Sequence, residues 1–194
     1  IAFAYKICGS IDAFPEYTAV SSYTPALHKT PISNTPSCNV TIAQPCMSMK
    51  PTNYKDMASM KVACNAMGNG FGGRLMKVIR DQNGFTYGIS CGMQNTASTP
   101  SVVVGATFNT DVMDKAMVAT MGMLGEWVKH GLTAREFEVS RQSLLNKVQL
   151  HGLSESYVKA RLMRGITPHI GQDESEIWKH IENCSLDDVN TVLL

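Results

Sequence analysis

A chain of 194 residues, 44% of them hydrophobic, is long enough to bury one real core without disulfide or metal staples, and a single domain over residues 1–194 is expected. Its 17 basic residues nearly balance 16 acidic ones, for a formal charge of +1, so no basic field marks a nucleic-acid or membrane partner. Six cysteines are scattered without a CxxC or Cys/His cluster, and no apolar run approaches the ~20 residues of a membrane helix, which argues against a zinc ribbon, a dense disulfide framework and a membrane span.

The chain opens at Ile1 directly on strand-like sequence, as expected of a piece of a longer protein. Residues 2–8 alternate Phe3, Tyr5 and Ile7 on one face and read as a strand ending at Gly9. Residues 10–24 form a weak helix candidate interrupted at Pro15 and stopped by Pro25. The stretch 25–37, with Pro25, Pro31 and Pro36 among Ser, Thr and Asn, reads as an extended surface linker. A second strand at 38–43 puts Val40 and Ile42 on one face, and Pro45 suggests an edge or a bulge. From 53 to 67, Met57, Met60, Ala63, Cys64 and Met67 recur at three and four, giving an amphipathic helix stopped at Gly68. A short helix over 72–80 turns Leu75, Met76 and Ile79 inward, and Asn83-Gly84 closes it.

The strand that follows is the cleanest in the chain, with Phe85, Tyr87, Ile89, Cys91 and Met93 on one face and Thr86, Gly88, Ser90, Gly92 and Gln94 on the other. Turn chemistry at 95–100 leads to a strand carrying Val102, Val104, Ala106 and Phe108, expected to pair antiparallel with it. Thr110 or Asn109 can cap a helix running to His130, with Met113, Ala116, Met117, Met121, Leu124, Trp127 and Val128 as its buried stripe and Gly131 as its stop. Thr133 and Glu136 have capping-box spacing and open another helix, with Phe137, Leu144, Leu145 and Val148 inward. Shorter helices are expected at 154–164 and 175–184, and Ser185 with Asp188 caps a last one. Hairpin-like strands followed by runs of helices imply an α+β fold, a largely antiparallel sheet with helices packed on one face. The methionines fall mainly on helical stripes and the cysteines read as small core residues, with one disulfide left open.

The chemistry concentrates between Met67 and Gln94. Gly68, Gly70 and Gly73 satisfy GxGxxG, but a dinucleotide site needs a strand before that turn, and here a helix precedes it. The remaining readings of Gly68, Gly70, Gly72 and Gly73 are a flexible helix-to-helix connection or a bare loop beside which an extended peptide can lie. Arg80 suits the macrodipole at its helix end, and Tyr87 can be a core tyrosine with its hydroxyl at the rim. Alternatively the pair donates hydrogen bonds to a substrate carbonyl as negative charge develops on it. The five histidines form neither HExxH nor HxxEH, so no zinc site, and no metal or cofactor of any kind, is expected in this chain. Strict alternation puts Tyr87 on the apolar face, whereas a substrate contact needs it outward; a bulge near Gly84 or Gly88 would reconcile the two.

The stretch NAMGNGFGGRLMKVIRDQNGFTYGIS resembles the second, non-catalytic domain of the pitrilysin, insulysin and mitochondrial processing peptidase family of zinc metallopeptidases. Gly73-Arg74-Leu75 stands for the family's Ser-Arg-Leu, Arg80-Asp81-Gln82 for Arg-Glu-Lys, and Gly84-Phe85-Thr86-Tyr87 for Gly-Leu-Ala-Tyr. HGLTAREFEVSRQSLL is similar to the family's Gly-Val-Thr-x-x-Glu helix start, and residues 7–12 weakly to its opening motif. The resemblance implies a half-domain that faces a homologous catalytic domain, in the same polypeptide or a separate subunit, around a peptide chamber. Zinc, bound through HxxEH and a distal Glu, is then expected in that partner and not in this chain. Arg80 and Tyr87 match the positions that hold the peptide substrate at the zinc, and Gly68 to Gly73 resembles the substrate-contacting loop of the non-catalytic processing-peptidase subunit. The alternative is a structural or assembly subunit of the same fold, like the core proteins of respiratory complexes.

Overall fold

The computed structural model describes residues 35–46, 54–68, 72–94, 101–151 and 174–193. The strand expected at 2–8, the helix at 10–24, most of the 25–37 linker, Gly70, the turn at 95–100 and the helix at 154–164 lie outside the described residues. What is described is an α+β layer: a three-stranded antiparallel sheet of β1 (Ser37–Pro45), β2 (Thr86–Gln94) and β3 (Ser101–Asn109), in the order β1-β3-β2, with helices beside it. The β1–β3 ladder is uninterrupted from Ser37↔Asn109 to Pro45↔Ser101, so Pro45 ends its strand without bending it. The expected pairing of the two later strands is present, with Cys91 opposite Val104 and Met93 opposite Val102. Alternation sends Val40, Ile42, Val102, Val104, Ala106, Phe108, Ile89 and Cys91 to the core side. Asn39, Thr41 and Thr107 are left exposed, with Thr107 Oγ1 2.7 Å from Asn39 Oδ1.

The first helix among the described residues, α1 (Tyr54–Gly68), differs from the amphipathic helix read from the sequence: its buried residues include Ala58, Ser59 and Val62 as well as Met57, Met60, Ala63, Cys64 and Met67. The cause is that it is covered on several sides, packing on β2 and also against three later helices. Its small residues, neutral to a periodicity count, let those neighbours come close. Those helices are α3 (Ala134–His151), α4 (Glu174–Asn183) and α5 (Leu186–Thr191). A polar seam fastens α1 to α3, since Ser140 Oγ donates to Val62 O at 2.7 Å and Asn65 Nδ2 reaches Ser140 Oγ at 3.0 Å. Lys55 ties α1 to α5 through Asp188 at 2.6 Å.

In chain order α2 (Met113–His130) follows β3 and precedes α3. Its expected cap is corrected: the N-cap is Val112 with no side-chain hydrogen bond, because the Thr110 hydroxyl instead donates to Thr35 O at 3.0 Å. Its buried stripe is also rotated. Ala116, Thr120 and Trp127 are buried, whereas Met121 and Val128 are about half exposed at 51% and 47%. Thr120 tolerates burial because its hydroxyl donates to Ala116 O at 2.7 Å. Gly131 stops the helix as expected, at φ 66°, with its N–H on Trp127 O. Both capping boxes form, Thr133 with Glu136 and Ser185 with Asp188. Cys64, Cys91 and Cys184 are buried free thiols; Cys38 and Cys46 are half-buried and free.

Candidate functional site

The glycine-rich turn does not behave as one unit. Gly68 is buried at the end of α1, and a Cβ there would meet Cys91 of β2 at 2.0 Å from its backbone nitrogen and 2.4 Å from its Cβ. Its bareness therefore serves helix-to-strand packing. Gly73 is buried and accepts Lys77 N–H at 3.1 Å, opening the next helical turn. Of the candidate glycines described, Gly72 alone is exposed with open space around it, and Gly70 lies outside the described residues.

Arg74 is the anchor that the sequence reading placed only by motif. Its guanidinium binds Glu136 at two points, Nε to Oε1 at 2.9 Å and NH2 to Oε2 at 2.6 Å, and NH2 also reaches Gly131 O at 3.1 Å. Glu136 thus caps α3 through Thr133 and holds Arg74 at the same time. The Arg74 guanidinium, with the Thr133 N–H and hydroxyl, draws the Glu136 carboxyl down to about 2 against an ordinary 4.5. Asn190 of α5 clamps the same turn from the other side, accepting Leu132 N–H at 2.8 Å and donating to Leu132 O at 3.3 Å.

After Arg74 the chain makes a π-helix over Met76–Gln82, where the sequence suggested a short helix over 72–80. Its last turn carries Arg80, as expected, half-buried and 3.3 Å from Asp81 Oδ1. Gly84, at φ 65°, closes it by donating to Arg80 O, and Phe85 N–H reaches back to Ile79 O at 3.1 Å. Asn83 adds a side-chain bond to Val78 O at 2.7 Å. Only glycine takes that positive φ at no steric cost, so Asn83-Gly84 ends the helix as the sequence suggested.

The strand then contains the bulge. Thr86 pairs with Phe108 and Ile89 with Ala106, so three steps along β2 match two along β3 and one residue is extra. The shift breaks the strict alternation, and Tyr87 leaves the face of Ile89 and Cys91 to stand 95% exposed. Arg80 and Tyr87 accordingly flank one short turn, residues 83–85, on consecutive elements. Among the described residues no group of three His, Cys, Asp or Glu side chains is placed to hold a metal ion, and no helix is long and apolar enough to cross a membrane.

The family model described as the peptidase M16 inactive domain matches residues 3–144. No curated protein matches the chain in sequence. Among solved structures, the chain is similar to the peptidase M16 inactive domain from Pseudomonas fluorescens, with a TM-score of 0.67 at 17% identity, covering 80% of this chain and 37% of that one. It is also similar to an inactive peptidase domain from Bordetella parapertussis, with a TM-score of 0.67 at 16% identity over 81% of this chain and 84% of that one. A chain of complex III2 from Candida albicans shares the fold at a TM-score of 0.63 and 14% identity, over 81% of this chain and 39% of that one. This chain thus spans little more than a third of the length of the Pseudomonas chain. With the family model covering most of its length, the chain belongs to the M16 peptidase family as an inactive, non-catalytic domain.

Proposed function

We propose that this domain is the non-catalytic half of a zinc metalloendopeptidase, forming one wall of a chamber and positioning an extended peptide for a zinc-bearing partner domain. The observation that carries the reading is Tyr87, a large aromatic side chain 95% exposed on a bulged strand beside the helix end that bears Arg80. A tyrosine kept for the core would be turned inward, and water gains little from a bare phenol ring. Both groups donate hydrogen bonds, Arg80 as a permanent cation, and a peptide carbonyl accepts them. Zinc and the activated water then belong to the partner, so this chain alone binds no stoichiometric zinc and cleaves nothing.

In the assembled enzyme, Tyr87→Phe and Arg80→Ala are each expected to lower peptide turnover about tenfold, the worth of one hydrogen bond, with urea unfolding midpoints unchanged. Turnover equal to wild type in both variants would count against peptide positioning. A second reading, a structural or assembly subunit without proteolysis, is favoured by the shared fold with a chain of the Candida albicans complex. The two readings part on the partner: an HxxEH sequence in the half that co-purifies with this one supports the peptidase, and its lack supports assembly.

A further inference from the structure

The bulge that turns Tyr87 outward has its own supports, and neither belongs to the residues assigned above. Inserting an extra residue into β2 leaves Tyr87 and Gly88 without partners in the ladder, which resumes with Ile89 opposite Ala106, and a backbone donor without a partner is costly. Gly88 N–H is taken by the Thr86 hydroxyl at 3.1 Å, and that hydroxyl in turn donates across the sheet to Thr107 O at 2.6 Å. Ile89 N–H is taken by the Met76 sulfur at 3.4 Å. Met76 is buried and is the first residue of the π-helix that carries Arg80. One support therefore fixes the bulge to β3, and the other fixes it to the helix on which Arg80 rides.

We propose that Thr86 and Met76 are positioning residues, whose side chains hold Tyr87 on the outer face of β2 and set its placement relative to the π-helix. The functional part of this assignment rests on the peptide-positioning reading above; the conformational part does not. Leucine at 76 would fill the same space but accept nothing, and valine at 86 keeps the β-branched shape while removing the hydroxyl.

The test uses the full-length protein with its catalytic half and three variants: Thr86→Val, Thr86→Ser and Met76→Leu. Hydrogen exchange over residues 86–89, read by mass spectrometry, is expected to speed about tenfold in Thr86→Val, as the hydrogen bond that protects the Gly88 amide is lost. Nitration of Tyr87 should slow severalfold as the ring loses its outward position, and peptide turnover should fall severalfold, toward that of Tyr87→Phe. Thr86→Ser should restore all three, which a change of packing alone would not do, and Met76→Leu should speed exchange at Ile89. Unchanged exchange and nitration in Thr86→Val, or failure of Thr86→Ser to restore them, overturns the assignment. If Thr86→Val moves both and Tyr87→Phe leaves peptide turnover untouched, the positioning of Tyr87 stands and the peptide reading fails.

Discussion

Gly68→Ala is expected to destabilise the domain by about 3 kcal/mol, at the upper end of what overpacking costs. The added Cβ would lie 2.0 Å from Cys91 N, 2.4 Å from Cys91 Cβ and 2.6 Å from Cys91 Cα, all well inside contact distance. Two of these atoms are backbone in a strand already laddered to β3, so no flexible side chain can swing away. On the other side α1 is held by Val62, Asn65 and Lys55 to α3 and α5. The gain in helix propensity from alanine, at most about 1 kcal/mol, is smaller than the clash. Gly72→Ala and Gly92→Ala are the controls: nothing lies within 4 Å of either added Cβ, and both should stay within about 0.5 kcal/mol of wild type. Urea unfolding of the three variants decides it, and a Gly68→Ala midpoint equal to that of Gly72→Ala would show that α1 and β2 do not approach this closely.

The same residue shows how far the sequence could be read. Gly68 was visible as a helix stop, because that role follows from local rules, as do Gly84, Gly131 and the two capping boxes. The hairpin of β2 and β3 was equally legible, since alternation on both strands needs no distant partner. What local patterns cannot hold is the identity of the neighbour. Gly68 faces Cys91, and Arg74 finds Glu136 sixty-two positions away, a separation that no spacing rule spans. The burial of α1 on several sides escaped for a related reason: Ala58 and Ser59 look indifferent until the helices that cover them are in place. For Tyr87, the conflict between an alternating pattern and an outward role pointed to a bulge near Gly84 or Gly88, and the shift falls between Thr86 and Ile89. The supports of that bulge, Thr86 and Met76, had no signature beyond their residue type.

Arg74→Ala is expected to cost about 2 kcal/mol at neutral pH and to remove part of the acid sensitivity of the domain. The figure follows from hydrogen bonds to a charged group, about 1.5–3 kcal/mol in protein series. A fully buried ion pair would lose more when broken, but these side chains keep 18% and 31% of their exposure, and water recovers part of the loss. Arg74→Lys should recover little of it, because an ammonium cannot make the two-point contact to Glu136 and also reach Gly131 O. The pH dependence has a definite sign. Glu136 is held at about 2 in the folded protein, below its ordinary 4.5, so its contribution is full above 4.5 and is lost as pH falls from there through 2. Asp188, drawn down to about 2 chiefly by the Lys55 ammonium and then by Ser185, titrates in the same window. It is untouched by the Arg74 substitution, so the difference between the two proteins isolates Glu136. Urea unfolding at neutral pH and at a pH near 3 should give a gap between wild type and Arg74→Ala that narrows in acid. A gap that stays constant would mean that Arg74 acts through packing of its stem and its bond to Gly131 O, and not through the carboxylate that caps α3.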